Sequence, residues 1–135
     1  MYKNILIPMA PDHSHPFSES LEIARKIAAD GAKITALSVV EMIPDYVASQ
    51  LPAGQLKRNA ESIAASLNDE AGNQAGVSVD VVSGHAGKSI VDYAAKHEVD
   101  CIVIASHRPG LQDYFLGSTA ARVVRHAQCS VHVIR

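Results

Sequence analysis

Asp100-Cys-Ile-Val-Ile-Ala105, then Ser106-His-Arg-Pro-Gly-Leu-Gln-Asp-Tyr-Phe-Leu-Gly-Ser118, then the helix-like Thr119–Ala127 and the apolar Val131–Ile134 decide how this chain folds. A short, uninterrupted apolar run suits a strand buried on both faces, and the helical pattern after it leads into a second such run. Strand, loop, helix and strand in that order make a crossover unit with parallel strands. A loop leaving the carboxyl end of the first strand can present backbone N–H groups to an anion. The Gly117-Ser118 helix start adds free amides and the positive end of the helix dipole. The segment carries phosphate-binding chemistry and favours a phosphorylated ligand.

Working outward, the same kind of run recurs at Asn4–Met9, Ile34–Val40 and Val77–Val82. Apolar residues at helical spacing lie between the runs: Leu21, Ile23, Ala24, Ile27 and Ala28; Leu56, Ala60, Ile63, Ala64 and Leu67; Ile90, Val91, Ala94 and Ala95; Ala120, Val123, Val124 and Ala127. Turn signals fall at Asp30-Gly31, at residues 72–76 and at residues 83–87. Five strands alternating with four helices predict an α/β fold, an open, doubly wound parallel sheet with helices on both faces. In such sheets ligands bind beyond the carboxyl ends of the strands, where strand order reverses. With the order 3-2-1-4-5, the loop after strand one (residues 10–16) and the Ser106 loop after strand four are neighbours there.

The chain has 135 residues, enough for one domain, residues 1–135, with a sizeable core. A hydrophobic share of 47% and a formal net charge of −2 give no overall attraction to nucleic acid or anionic membranes, so any positive field is local. The apolar runs are too short to span a bilayer, and the first residues open a strand instead of a signal-peptide core, which makes the cytoplasm the expected location. Cys101 lies within an apolar strand and Cys129 just before another, without metal-ligand spacing. Both are expected to be reduced, structural thiols.

Several motifs come close and fail. No glycine lies within residues 10–16, where a dinucleotide-binding fold needs them. Gly84-His-Ala-Gly87-Lys-Ser89 follows a strand and opens a helix, but its glycines are two residues apart where a Walker loop needs four, so Gly87-Lys88-Ser89 reads as a plain helix start. Asp12, His13 and His15 have no fixed metal geometry, and a solvated loop is the expectation. Ser106-His107 lacks a group to orient the histidine as a base, so no catalytic residue is assigned. Arg122, Arg125 and His126 share a helix face by spacing and read as solvated cations near the helix C-terminus, with a phosphate clamp as the alternative. Arg108 differs, because it sits on the phosphate loop itself, where a guanidinium can bind phosphate oxygens in pairs.

Taken together, Ile102-Val-Ile-Ala-Ser-His-Arg-Pro-Gly110, the stretch Tyr114–Arg135, the opening Lys3-Asn-Ile-Leu-Ile-Pro8, the strand Leu37-Ser-Val-Val40 and Gly84 resemble the bacterial universal stress proteins over essentially the whole chain. The resemblance implies the strand order 3-2-1-4-5, a dimer, and in nucleotide-binding members ATP at the switch point. There the pattern G-x2-G-x9-G-[S/T] wraps the phosphates. Here the stretch reads Ala105-x2-Arg108-x8-Gly117-Ser118, with two glycines replaced and the loop one residue shorter. The Ala-Ser-His-Arg-Pro version is similar to a branch associated with ATP binding. Ala10 stands where the family commonly has an aspartate for the ribose or adenine end. Asp12 is the candidate substitute, and losing that one contact would cost roughly 1–3 kcal/mol, about ten- to hundredfold in affinity.

Carried over by position, Val39 meets adenine through its backbone, Pro8, Met9 and Ala10 border the nucleoside, and Gly84 borders the ligand. Ala105, Ser106, His107, Arg108 and Gly110, with Gly117, Ser118 and Thr119, surround the phosphates. Magnesium would arrive on the phosphates, since the sequence offers no carboxylate cage. Three readings follow: a non-enzymatic, nucleotide-responsive stress protein binding ATP, ADP or AMP; an interaction module of the same fold that binds no nucleotide; and a very slow ATPase using Arg108, for which no general base is evident. Val131–Arg135 is expected as an edge strand that pairs with a second copy in a homodimer or higher homo-oligomer. Residues 43–53, apolar between two prolines, read equally as a lid, a contact surface or a packed connector.

Overall fold

A computed structural model describes residues 1–10, 15–41, 44–106 and 116–135. Its strands are β1 (Tyr2–Met9), β2 (Ala28–Val40), β3 (Val77–Ser83), β4 (Cys101–Ala105) and β5 (Ser130–Ile134). They form one parallel sheet in the order β3-β2-β1-β4-β5. The helices are α1 (Phe17–Ile27), α2 (Asp45–Ala48), α3 (Gln55–Leu67), α4 (Ala86–Lys96) and α5 (Ser118–His126), and a π-helical turn, Asn68–Gly72, extends α3. Among the described residues no helix is long and apolar enough to cross a membrane.

Alternation along buried strands assigns each side chain to one of two cores. Ile5, Ile7, Ile34, Ala36, Cys101 and Val103 meet Phe17, Leu21 and Ala24 of α1 and Leu67 at the end of α3. Leu6, Leu37, Val39, Ile102 and Ile104 meet Ile90 and Ala94 of α4 and Ala120 and Val123 of α5. Both faces of β1 and β4 are thus covered, which is why their sequences are apolar without interruption. Burying one such Leu or Ile contributes roughly 1.5–3 kcal/mol.

The structure refines three expectations. Strand two starts at Ala28, ahead of the Asp30-Gly31 turn signal, because Tyr2 pairs with Ala28 while Asn4 pairs with Lys33. The turn is real, with Gly31 at φ 74°, but it bulges out of a ladder that has already begun. Helix α2 forms inside the proline-bounded segment, for which the sequence showed no helical period. Val124, counted on the apolar face of the last helix, is 46% exposed.

Candidate functional site

The carboxyl ends of the strands bring the N-termini of α4 and α5 together. In α5 the first intrahelical bond runs from the Ala121 N–H to the Gly117 carbonyl, so the amides of Ser118, Thr119 and Ala120 have no acceptor within the helix. The N-cap residue, Gly117, has no side chain to cap this end, and no side chain among the described residues does so. Gly117 lets the helix start press against the end of β4: a Cβ there would stand 3.2 Å from the Ser106 carbonyl oxygen, tighter than ordinary contact. Its φ of −57° is open to any residue, so close approach is what a glycine serves here.

Helix α4 ends differently. Its Ala86 N–H donates to Glu41 Oε1 at 3.3 Å, and Glu41 Oε2 lies 4.0 Å from His85 Nδ1. A carboxylate from the residue after β2 thus caps α4. Gly84 makes the preceding turn at φ 146°, donating its N–H to the Val40 carbonyl at 3.0 Å, and a Cβ there would lie 2.5 Å from Ser89 Oγ. Two pressures therefore select glycine at this position.

Between the two helix starts lies a cavity of about 510 Å³ lined by Glu41, His85, Ala86, Gly87, Lys88, Ser118, Thr119 and Arg122. Ser118 and Thr119 are the sequence-derived site residues that line it. Gly84 is buried at its edge, one residue before His85. Pro8, Met9 and Ala10 end β1 with rising exposure, and Val39 is 5% exposed in the core under α4 and α5. Ala105 ends β4 in register with Ile134. Ser106 is buried, and its N–H and hydroxyl both donate to the Ile134 carbonyl, at 2.9 and 3.2 Å, so both of its donors are spent on β5. Asp12, His107, Arg108 and Gly110 lie outside the described residues.

Sequence reasoning missed Glu41 and His85; it weighed Lys88 within a Walker-like near miss and Arg122 as a phosphate clamp, and set both aside. Two signals pointed there: Gly87-Lys88-Ser89 directly after a strand, and Arg122 one helical turn beyond Ser118. Among the described residues no group of three His, Cys, Asp or Glu side chains is arranged to hold a metal. The thiols stand apart from this region. Burial, followed by the nearby Cys129 and Asp100, pushes the Cys101 thiol up to about 11, and burial also raises Cys129. Neither has the lowered pKa that marks a reactive cysteine.

Comparison with known proteins identifies the family. The chain is 31% identical to a universal stress protein of Methanocaldococcus jannaschii over all of this chain and 83% of that protein. It is 30% identical to one from Thermus aquaticus over the whole of both. The solved structure of universal stress protein UspA from Lactobacillus plantarum superposes with a TM-score of 0.69 at 30% identity, covering 99% of this chain and 98% of that one. A universal stress protein solved in complex with cAMP shares the fold at 21% identity, with a TM-score of 0.68 and coverage of 99% and 97%. The universal stress protein family model matches residues 1–135, and the chain belongs to that family.

Proposed function

We propose that this protein binds an adenine nucleotide by its phosphates at the N-terminus of α5 and acts as a non-enzymatic, nucleotide-responsive regulatory protein. The observation that carries this reading is the cavity at the α5 start, where the amides of Ser118, Thr119 and Ala120 have no intrahelical acceptor and the Ser118 hydroxyl is exposed. That set of donors fits phosphate oxygens. The fold is shared with a protein solved with cAMP, an adenine nucleotide. ATP is the expected ligand, with ADP and AMP able to use the same amides. Magnesium would be held by the phosphates, and Glu41 is the cavity's carboxylate. The edge strand β5, with Val131 and Val133 half-buried, and the exposed Val124 of α5 support a homodimer.

Nucleotide released from the freshly purified, denatured protein is identified by mass spectrometry, and the refolded protein is titrated with ATP by calorimetry. Saturable binding supports the proposal; none at millimolar ATP refutes it. Two observations favour an interaction module without nucleotide: Ala10 offers no side-chain hydrogen bond at the end of β1, and the Ser106 donors are committed to Ile134. A melting temperature that rises with ATP concentration would exclude that module.

A further inference from the structure

Glycine at position 87 lies inside the first turn of α4, where alanine is the better helix former by about 1 kcal/mol, so a structural reason for it is expected. A Cβ on Gly87 would stand 2.6 Å from Cδ, 3.0 Å from Cβ and 3.1 Å from Cγ of Arg122. The whole aliphatic stem of Arg122 thus lies in the space that a side chain at position 87 would fill. Ser118 and Arg122 are one turn apart on α5 and line the same cavity. The stem is packed against Gly87, and Arg122 lines the cavity wall.

The other nitrogen groups of that wall are already engaged. The Lys88 ammonium pairs with Asp92, His85 lies beside Glu41, and the Ala86 amide at the α4 start is capped by Glu41. Among the described residues Arg122 is the lining cation with no carboxylate within ion-pair distance. A guanidinium offers several donors in a fixed fork that matches phosphate oxygens, and holding its stem reduces the entropy lost on binding.

We infer that Arg122 is a phosphate-binding residue of the cavity and that Gly87 is its positioning residue, the absent side chain on α4 holding the guanidinium toward a ligand phosphate seated on the α5 amides. This rests on the nucleotide reading for the ligand's identity, though the phosphate chemistry stands without the base. Arg125, also exposed on α5 but outside the cavity lining, serves as the control.

The full-length protein and its variants are titrated by calorimetry with ATP and with inorganic tripolyphosphate. Arg122→Ala is expected to weaken both by about ten- to hundredfold, the scale of lost charge-assisted hydrogen bonds. Arg122→Lys recovers part of that loss, and Arg125→Ala changes affinity less than threefold. Gly87→Ala, which keeps every charge, weakens binding on its own but adds nothing once Arg122 is alanine. Arg122→Ala alters an exposed side chain, so its result stands even where Gly87→Ala fails to fold. Unchanged binding in Arg122→Ala, an equal loss in Arg125→Ala, or full additivity with Gly87→Ala overturns the assignment while ATP binding by the wild type stands. Wild-type binding of tripolyphosphate without ATP overturns the nucleotide reading and leaves Arg122 its role. Binding of neither overturns both.

Discussion

The two ends of one parallel sheet use their hydrogen-bonding groups in opposite ways. At the amino ends of β1 and β4, Asp100 accepts the N–H groups of Lys3 and Asn4 at 2.8 and 3.0 Å and returns its own N–H to the Asn4 carbonyl at 2.9 Å. Asn4 Nδ2 in turn donates to the carbonyl of His97, just past the C-terminus of α4, at 2.8 Å. This closes the helix end together with Glu98, which sits in the left-handed region at φ 55°. At the carboxyl ends, among the described residues, α5 starts without a side-chain cap and α4 is capped by one exposed carboxylate. One end satisfies itself and the other leaves donors for something else, which is the asymmetry expected of an open α/β sheet that binds ligands at its carboxyl edge.

The largest effect is expected from breaking the closed end. Asp100→Ala removes the acceptor of two backbone donors, and hydrogen bonds to a charged group contribute about 1.5–3 kcal/mol each. Discounted for their partial exposure, the loss should be about 2–3 kcal/mol, or a melting temperature lower by about 6–12 °C. Asp100→Asn keeps one acceptor oxygen and should lose about half as much. Phosphate binding at the far end should not change in either variant; a calorimetric shift of more than threefold would mean that the two ends are coupled.

Next comes the turn that leads into the open end. Gly84→Ala places a side chain at φ 146° and against Ser89 Oγ, and a strained backbone position costs about 1–3 kcal/mol. Adding Ser89→Ala removes the steric part and leaves the backbone part. Urea unfolding of both variants separates the two: full recovery in the double variant would show that the clash alone selects glycine.

The same asymmetry explains what could be read from the chain. The apolar runs at Ile5–Ile7, Ile34–Val39 and Cys101–Ile104 announce their strands because both faces of the sheet are covered. Pattern alone then leads to the doubly wound fold, and the resemblance supplies the strand order. The open end is harder, because its groups come from elements far apart in sequence. Ser106 reads as a phosphate donor, yet its hydroxyl turns to Ile134, and no local pattern encodes that. Arg122 groups with Arg125 and His126 as a solvated face by helical spacing. Its place in the cavity lining and the closeness of Gly87 on another helix separate it from them. Glu41 follows a strand with nothing in its neighbours to mark it as the cap of α4.

A smaller effect follows from Glu41. Glu41→Gln keeps an acceptor for the Ala86 N–H but removes a negative charge from the cavity wall. Stability should change by less than about 0.5 kcal/mol, since the contact is long and exposed. Affinity for tripolyphosphate should rise about two- to fivefold at low salt and return toward wild type as screening grows. A fall in affinity would instead give Glu41 a direct hydrogen bond to the ligand.

The last effect emerges only at high pH and belongs to a contact that serves neither end. Tyr93 of α4 donates its hydroxyl to Asp80 Oδ2 of the edge strand β3 at 2.8 Å. Burial first, then this hydrogen bond and the carboxylate's charge, push the phenol up to about 12 from its usual 10. The folded protein therefore holds that proton more tightly than the unfolded chain. The resulting stabilisation is complete below pH 10 and is lost as pH rises through about 12. Urea unfolding across that window should show a shallower loss in Tyr93→Phe than in the wild type. The difference between the two cancels the Cys101 thiol, which burial pushes up to about 11. The phenolate absorbance step near pH 12 should vanish in the variant and move down in Asp80→Asn. Identical pH profiles would mean that α4 is held to β3 by apolar packing alone.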